Sequence, residues 1–315
     1  MKKRIEYLDT AKGILILFVV LGHVFETGPV NQFVYSFHMP AFFIISGIMQ
    51  HYSSALKKPL RQALLGKIYS LIIPFLFFEV LGVLSNIIRF GVTLNVFGYA
   101  YNTLTLCCNN GPNWFLWALF VGEVMFLLIH KYFSNRYVIW SISAVIGLFM
   151  VVNRDFYSTF GSTGVGFMFL TFGYYAAPLF TKPGNKAALG VALLFSVVSC
   201  IYNGKVDLGP WVFGNVPLYL IGSVTGTFWV IEASKLIRSK LLLHFGRNTL
   251  TVLGTHQAIN LALRDRIGLV EYSTPQALIV SIGITALQIP IICIFDKYIP
   301  FLIGKKGSVW GKSRK

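Results

Sequence analysis

Apolar stretches of bilayer-spanning length recur ten times along this chain with only short connections between them, and no other feature restricts the fold so severely. They cover residues 8–25, 33–49, 68–88, 114–130, 137–152, 164–180, 187–202, 213–231, 249–263 and 277–295. In hydrocarbon a backbone N–H or C=O must find its partner within the protein, so open apolar segments near 20 residues become helices. The expectation is an all-α, polytopic integral membrane bundle of about ten transmembrane helices. The connections among 315 residues leave no room for a sizeable soluble module, which predicts a single transmembrane domain over 1–315. Only 12% of the residues are charged, where soluble domains hold about a quarter.

The charges that remain are distributed unevenly. Lys and Arg outnumber Asp and Glu by 27 to 11, a net charge of +16. A nucleic-acid binder would gather such a surplus on one patch; here it sits in short clusters between apolar runs, as topology and anionic lipid require. With the amino terminus placed in the cytoplasm, the inner connections carry Lys2, Lys3 and Arg4, then Lys57, Lys58, Arg61 and Lys67, then further pairs and the basic tail from Lys305. The outer ones carry only Arg89, Arg154, Lys205, Arg264 and Arg266. Both termini are therefore expected in the cytoplasm, with the chain a multi-pass protein of the cytoplasmic membrane, in contact with lipid and not with nucleic acid. The basic start followed by an apolar run mimics a signal peptide, but no convincing cleavage site follows, and a retained first helix is expected. Cys107, Cys108, Cys200 and Cys293 lack the spacing of a zinc site or a disulfide framework, so no metal is expected.

The first helix keeps Lys12 and His23, and ionisable groups inside a span are costly enough to mark function by default. Eleven positions at 100° per residue bring them within about 20° of alignment and roughly 16 Å apart along the axis. One stripe thus carries a cation below and an imidazole above. The bland reading is a snorkelling lysine and a histidine bonded to a neighbouring helix. His38 opens the second helix after a short outer turn, and a tight helical hairpin would bring it near His23. A neutral imidazole can take a proton from a hydroxyl as it attacks a carbonyl.

At this point the residues resemble a family. Lys12, ten intervening residues and His23 match the basic-residue-to-histidine pattern of the acyltransferase 3 group of membrane acyltransferases, where Arg is the commoner basic residue. FHMPAFFIISG (residues 37–47), NWFLWALF (113–120) and GRNTLTVLGTH (246–256) resemble its later signatures, in order. The branch it looks like contains sugar O-acetylases such as fucose 4-O-acetylase. The resemblance implies transfer of an acetyl or similar acyl group from acetyl-CoA, acting as a substrate, to a hydroxyl of a cell-surface, exported or lipid-linked saccharide. It further implies that His23 is the catalytic histidine, as general base or transient acyl acceptor, and that Lys12 helps hold the donor. Lys67 and its basic neighbours would add attraction for the phosphates of CoA, while Lys in place of Arg gives up a bidentate fork.

Other positions leave alternatives open. His38 could position the acceptor, tune His23, or merely cap the second helix, and His256 faces the same choice. Asn113 and Trp114 could shape an acceptor mouth, although Trp at a membrane interface needs no such role. Glu79 and Glu123 fall mid-helix, where they could orient His23, anchor a lysine, or stay protonated. Glu232, three residues before Lys235, reads as a solvated face. The long outer connection from Arg89 to Asn113 could be a lid or a plain loop. A second class of function, a proton-coupled transporter or exporter relaying protons through these same residues, suits their types, but the paired repeats common in transporters are absent. A non-catalytic scaffold is a third.

Overall fold

A computed structural model describes residues 5–53, 55–91, 98, 111–153, 161–210, 212–268 and 272–305. Lys2 to Arg4, Cys107, Cys108, Arg154, the tail from Lys306 and most of the connection after Arg89 lie outside the described residues. The described chain forms a bundle of helices without strands: α1 (Glu6–Val24), α2 (Gly28–Tyr35), α3 (His38–Tyr52), α4 (Leu60–Lys67), α5 (Ile73–Phe90), α6 (Trp114–Tyr132), α7 (Arg136–Val152), α8 (Gly161–Ala176), α9 (Lys186–Asn203), α10 (Val216–Leu236), α11 (Lys240–Arg247), α12 (Thr249–Ile267) and α13 (Thr274–Tyr298).

Helix starts follow local chemistry. Asn135, Asn185, Asn215 and Ser239 each accept a backbone N–H of the turn that follows, which satisfies donors with no intrahelical partner. Pro29, Pro217 and Pro275 stand in first turns, where their missing N–H costs nothing.

All ten apolar segments are helical. Among the described residues, eight helical stretches are long and apolar enough to cross a membrane by length and composition. The other two fall short of that length or hydropathy. The α7 helix is apolar but only 17 residues long. The α12 helix has the length, but Thr251, Thr255, His256, Gln257 and Asn260 lower its hydropathy. The second segment also differs: the chain breaks at Ser36 and Phe37, so that α2 precedes α3. Leu60–Phe90 runs on as one stretch, with a π-helical segment at Ile68–Ile72.

The first helix is the axis of the bundle, packed against α2, α3, α10, α11, α12 and α13. Small residues set how closely. A side chain on Gly13 would run into the Leu242 carbonyl of α11, and one on Gly246 into that of Asp9, so these two helices touch backbone to backbone. Gly47 and Gly173 bring α3 and α8 together in the same way. Peripheral helices instead turn large apolar side chains outward, as Ile279, Ile282 and Ile294 of α13 and Leu194 and Ile201 of α9 do. That inversion suits hydrocarbon as the surrounding solvent.

Among the described residues, several buried carboxylates meet a cation. Glu232, read from sequence as solvated, is 4% exposed. It holds Lys235 at 2.5 Å and accepts the Asn185 N–H at 2.8 Å, tying α10 to the start of α9. The sequence signal misled because a membrane-boundary charge beside a lysine looks alike whether water or a second helix faces it.

Candidate active site

Three histidines converge at the Val24 end of the bundle. His23 comes from the last turn of α1, His38 from the first residue of α3, and His256 from the middle of α12. The rings of His23 and His256 lie 5.0 Å apart between centroids. Tyr35 stands between the other two, 6.2 Å from His23 and 4.9 Å from His38. His23 and His38 thus face one cavity, with Tyr35 placed between their rings. The intervening α2 inserts Tyr35, and the ring packed on His23 comes from α12.

The flanking imidazoles have fixed tautomers. His38 Nδ1 lies 2.8 Å from the Val34 carbonyl, and His256 Nδ1 lies 2.8 Å from the Val252 carbonyl. A carbonyl only accepts, so both Nδ1 atoms carry the proton and both Nε2 atoms present a lone pair. His38 is therefore not a side-chain cap of α3; it reaches back to tie α3 to α2. His256 is 1% exposed, and its Nε2 has no hydrogen-bond partner among the described residues. Asn260, one turn further along α12, donates to the His23 carbonyl at 3.0 Å and locks the two helices in register.

His23 faces into cavities. One, of about 240 Å3, is walled by His23, Tyr35, His38, Trp114 and Asp207. Below it a narrower one of about 120 Å3 reaches Lys12, lined mostly by apolar side chains such as Phe42 and Phe115. The two share Met39 and Leu253 as walls, so the space beside the lysine of the α1 stripe adjoins the space beside its imidazole, with these two side chains as the common wall. A further chamber of about 190 Å3 shares His23, Tyr35 and Asp207 with the first cavity and is walled also by Glu26, Asn31, Lys205 and Gln257.

The remaining candidates spread out. Trp114 reaches the His23 cavity, while Asn113 is fully buried and donates its amide to Glu79 Oε1 at 2.8 Å. Lys67 meets Glu123 at 2.6 Å and Gln50 at 3.2 Å, and Ser46 donates to the other oxygen of Glu123 at 2.7 Å. Of the roles open to Glu123, anchoring a lysine is the one its contacts fit. Lys12 pairs with Asp9 at 2.8 Å, and Arg247 of α11 reaches the same carboxylate at 3.7 Å.

Sequence reading missed Tyr35, Asp207, Gln257 and Asn260. Asn260 was within reach, since it lies one turn from His256 on the same helix face. Asp207 was not, because it sits in the α9–α10 connection, where its Oδ1 accepts the Gly209 N–H at 3.0 Å and its backbone bridges Val212. A single acid in a Gly-Pro turn looks like ordinary turn chemistry. Burial pushes its carboxyl up to about 6, against the bond from Gly209 and the charge of Lys205.

With this geometry, comparison with known proteins is informative. The sequence profile of the acyltransferase 3 family, described as an acyltransferase domain, matches residues 5–295. The chain belongs to the acyltransferase 3 family. Two nodulation proteins named NolL are also similar. That of Mesorhizobium japonicum is 29% identical over 151 residues, which cover 43% of this chain and 38% of the relative. That of Sinorhizobium fredii is 28% identical over 156 residues, 44% of this chain and 41% of the relative. The match thus spans about two fifths of the length of each relative. No solved structure matches. The family match and the apolar helices together make this a multi-pass membrane protein carrying an acyltransferase domain.

Proposed function

We propose that this protein is an O-acyltransferase of the cytoplasmic membrane that moves an acetyl or similar acyl group from acetyl-CoA to a hydroxyl of a cell-surface, exported or lipid-linked saccharide, with both termini in the cytoplasm. The observation that carries the reading is the position of His23 at the junction of cavities, one of which adjoins the space at Lys12. The thioester arm enters through the narrow apolar passage, and Lys12, with Arg247 nearby, attracts the CoA phosphates where they meet the bundle. The hydroxyl enters from the opposite side.

His23 takes the hydroxyl proton as the oxygen attacks the thioester carbonyl, forming the C–O bond. The tetrahedral intermediate collapses with cleavage of the C–S bond, and the departing thiolate recovers the proton from the imidazolium to give CoA and the ester. His256 offers only a lone pair toward its neighbour. In the resting protein that nitrogen bonds nothing among the described residues; in the reaction it accepts the N–H of the His23 ring packed on it, so that the other His23 nitrogen meets the hydroxyl as a lone pair.

The test is acyl transfer in membranes containing His23→Ala protein at normal abundance. The ester product, followed by mass spectrometry, is expected to vanish, and persistence near the wild-type rate refutes the assignment. Cysteine accessibility at either terminus tests the orientation.

A further inference from the structure

The chamber walled by His23, Asp207 and Gln257 differs in kind from the space beside Lys12. Apolar side chains line the passage, whereas polar ones surround the chamber. Some of its polar atoms already hold the fold. Asn31 donates to the carbonyls of Gly22 at 3.0 Å and Phe25 at 2.6 Å, and Glu26 is ion-paired with Arg264. Others remain to be satisfied from within the chamber. Gln257 Oε1 is buried with no hydrogen-bond partner among the described residues. Asp207 brings a second acceptor set, and Tyr35 a phenol. Buried acceptors of this sort need donors, and a ring bearing several hydroxyls supplies them at close spacing.

Charge and size narrow the occupant. Arg264 offsets Glu26, and Lys205 lies on the same wall as Asp207, so the chamber offers no surplus cation for an acidic sugar, and the Asp207 carboxylate repels one. About 190 Å3 is less than the roughly 300–1,000 Å3 of sites for drug-sized ligands, which suits one ring.

We propose that this chamber is the acceptor subsite, that it takes a single neutral pyranose ring, and that Asp207 and Gln257 bind the hydroxyls flanking the one that His23 deprotonates. This rests on the acyl-transfer reading and adds which sugars are accepted and by what.

The experiment supplies purified full-length protein in lipid nanodiscs with acetyl-CoA and one probe: methyl α-glucopyranoside, methyl α-galactopyranoside or the methyl glycoside of glucuronic acid. Release of the CoA thiol gives the rate, and mass spectrometry gives the ester. A neutral glycoside is expected to accelerate thiol release above the rate in water alone, and the glucuronide is not. Asp207→Asn, which keeps an oxygen for the Gly209 turn, is expected to raise the KM for the glycoside about ten-fold, with the KM for acetyl-CoA unmoved. Gln257→Leu is expected to act in the same direction. An unchanged glycoside KM in both variants, equal use of the glucuronide, or a parallel loss toward both substrates overturns the subsite. Failure of the underlying reading looks different: His23→Ala protein would then release thiol as fast as wild type, with every probe.

Discussion

The two ends of α1 solve the problem of buried polarity in opposite ways. Around Lys12 each charge meets a counter-charge: Asp9 lies between Lys12 and Arg247, and a bundle layer away Glu123 holds Lys67. Around His23 imidazole rings, the Tyr35 phenol and side-chain amides stand beside cavities, with the charges of Glu26, Lys205 and Asp207 on one chamber wall. Two of the three imidazoles spend one nitrogen on the carbonyl four residues back in the chain and keep the other as a lone pair. Paired charges anchor helices and attract a charged ligand; unspent lone pairs beside cavities are suited to moving protons. Cavities adjoin both ends, so what distinguishes them is whether the polar groups there are already matched by a counter-charge.

The comparison breaks most directly at its reactive end. His23→Ala is expected to lower ester formation by about 10²–10⁴-fold, with helical content by circular dichroism unchanged; a variant keeping a tenth of the activity would make the His23 end no more catalytic than the Lys12 end. Next in size is the charged layer. Glu123→Ala strands the Lys67 ammonium, and a loss of about 3–5 kcal/mol is expected in detergent unfolding. The double change Glu123→Leu with Lys67→Met should recover most of that stability, and failure to recover it would mean the pair does more than anchor.

Asp207 sharpens the contrast, because it is a carboxylate kept at the reactive end at some cost. Burial raises it from 3.8 to about 6, with Lys205, Tyr35 and Glu26 around the same chamber. Between those values the folded chain holds a proton that the unfolded chain has released, so stability falls as pH rises through the window. Asp207→Asn is therefore expected to raise the unfolding free energy near neutral pH by about 1–3 kcal/mol and to give no gain below about pH 4. Thermal melts at the two pH values decide it. The smallest effect belongs to Lys12→Ala, for which the KM for acetyl-CoA should rise about five- to ten-fold with the KM for the acceptor steady. A change in acceptor KM instead would place the donor passage elsewhere.

Much of this was legible from residue spacing. The apolar segments, their order and the shared stripe of Lys12 and His23 follow from helical periodicity, which depends only on near neighbours in sequence. Asn113 with Glu79, Lys67 with Glu123, and Asp207 beside His23 were illegible, because each pair joins residues from different helices or loops. Glu232 shows the same limit from the other side, since its environment is set by α9, distant in sequence and close in space.

Sequence alone determined that this chain is a helical membrane bundle, because an apolar run in hydrocarbon has few ways to satisfy its own backbone. It also singled out His23, since a lone imidazole inside such a run is costly unless it is used. Only the tertiary structure decided which ring lies against His23, which carboxylate Lys67 meets, and that the space beside Lys12 is greasy while the chamber beside His23 is polar. Those are outcomes of how helices cross, and crossings are fixed where glycines such as Gly13 and Gly246 let backbones meet.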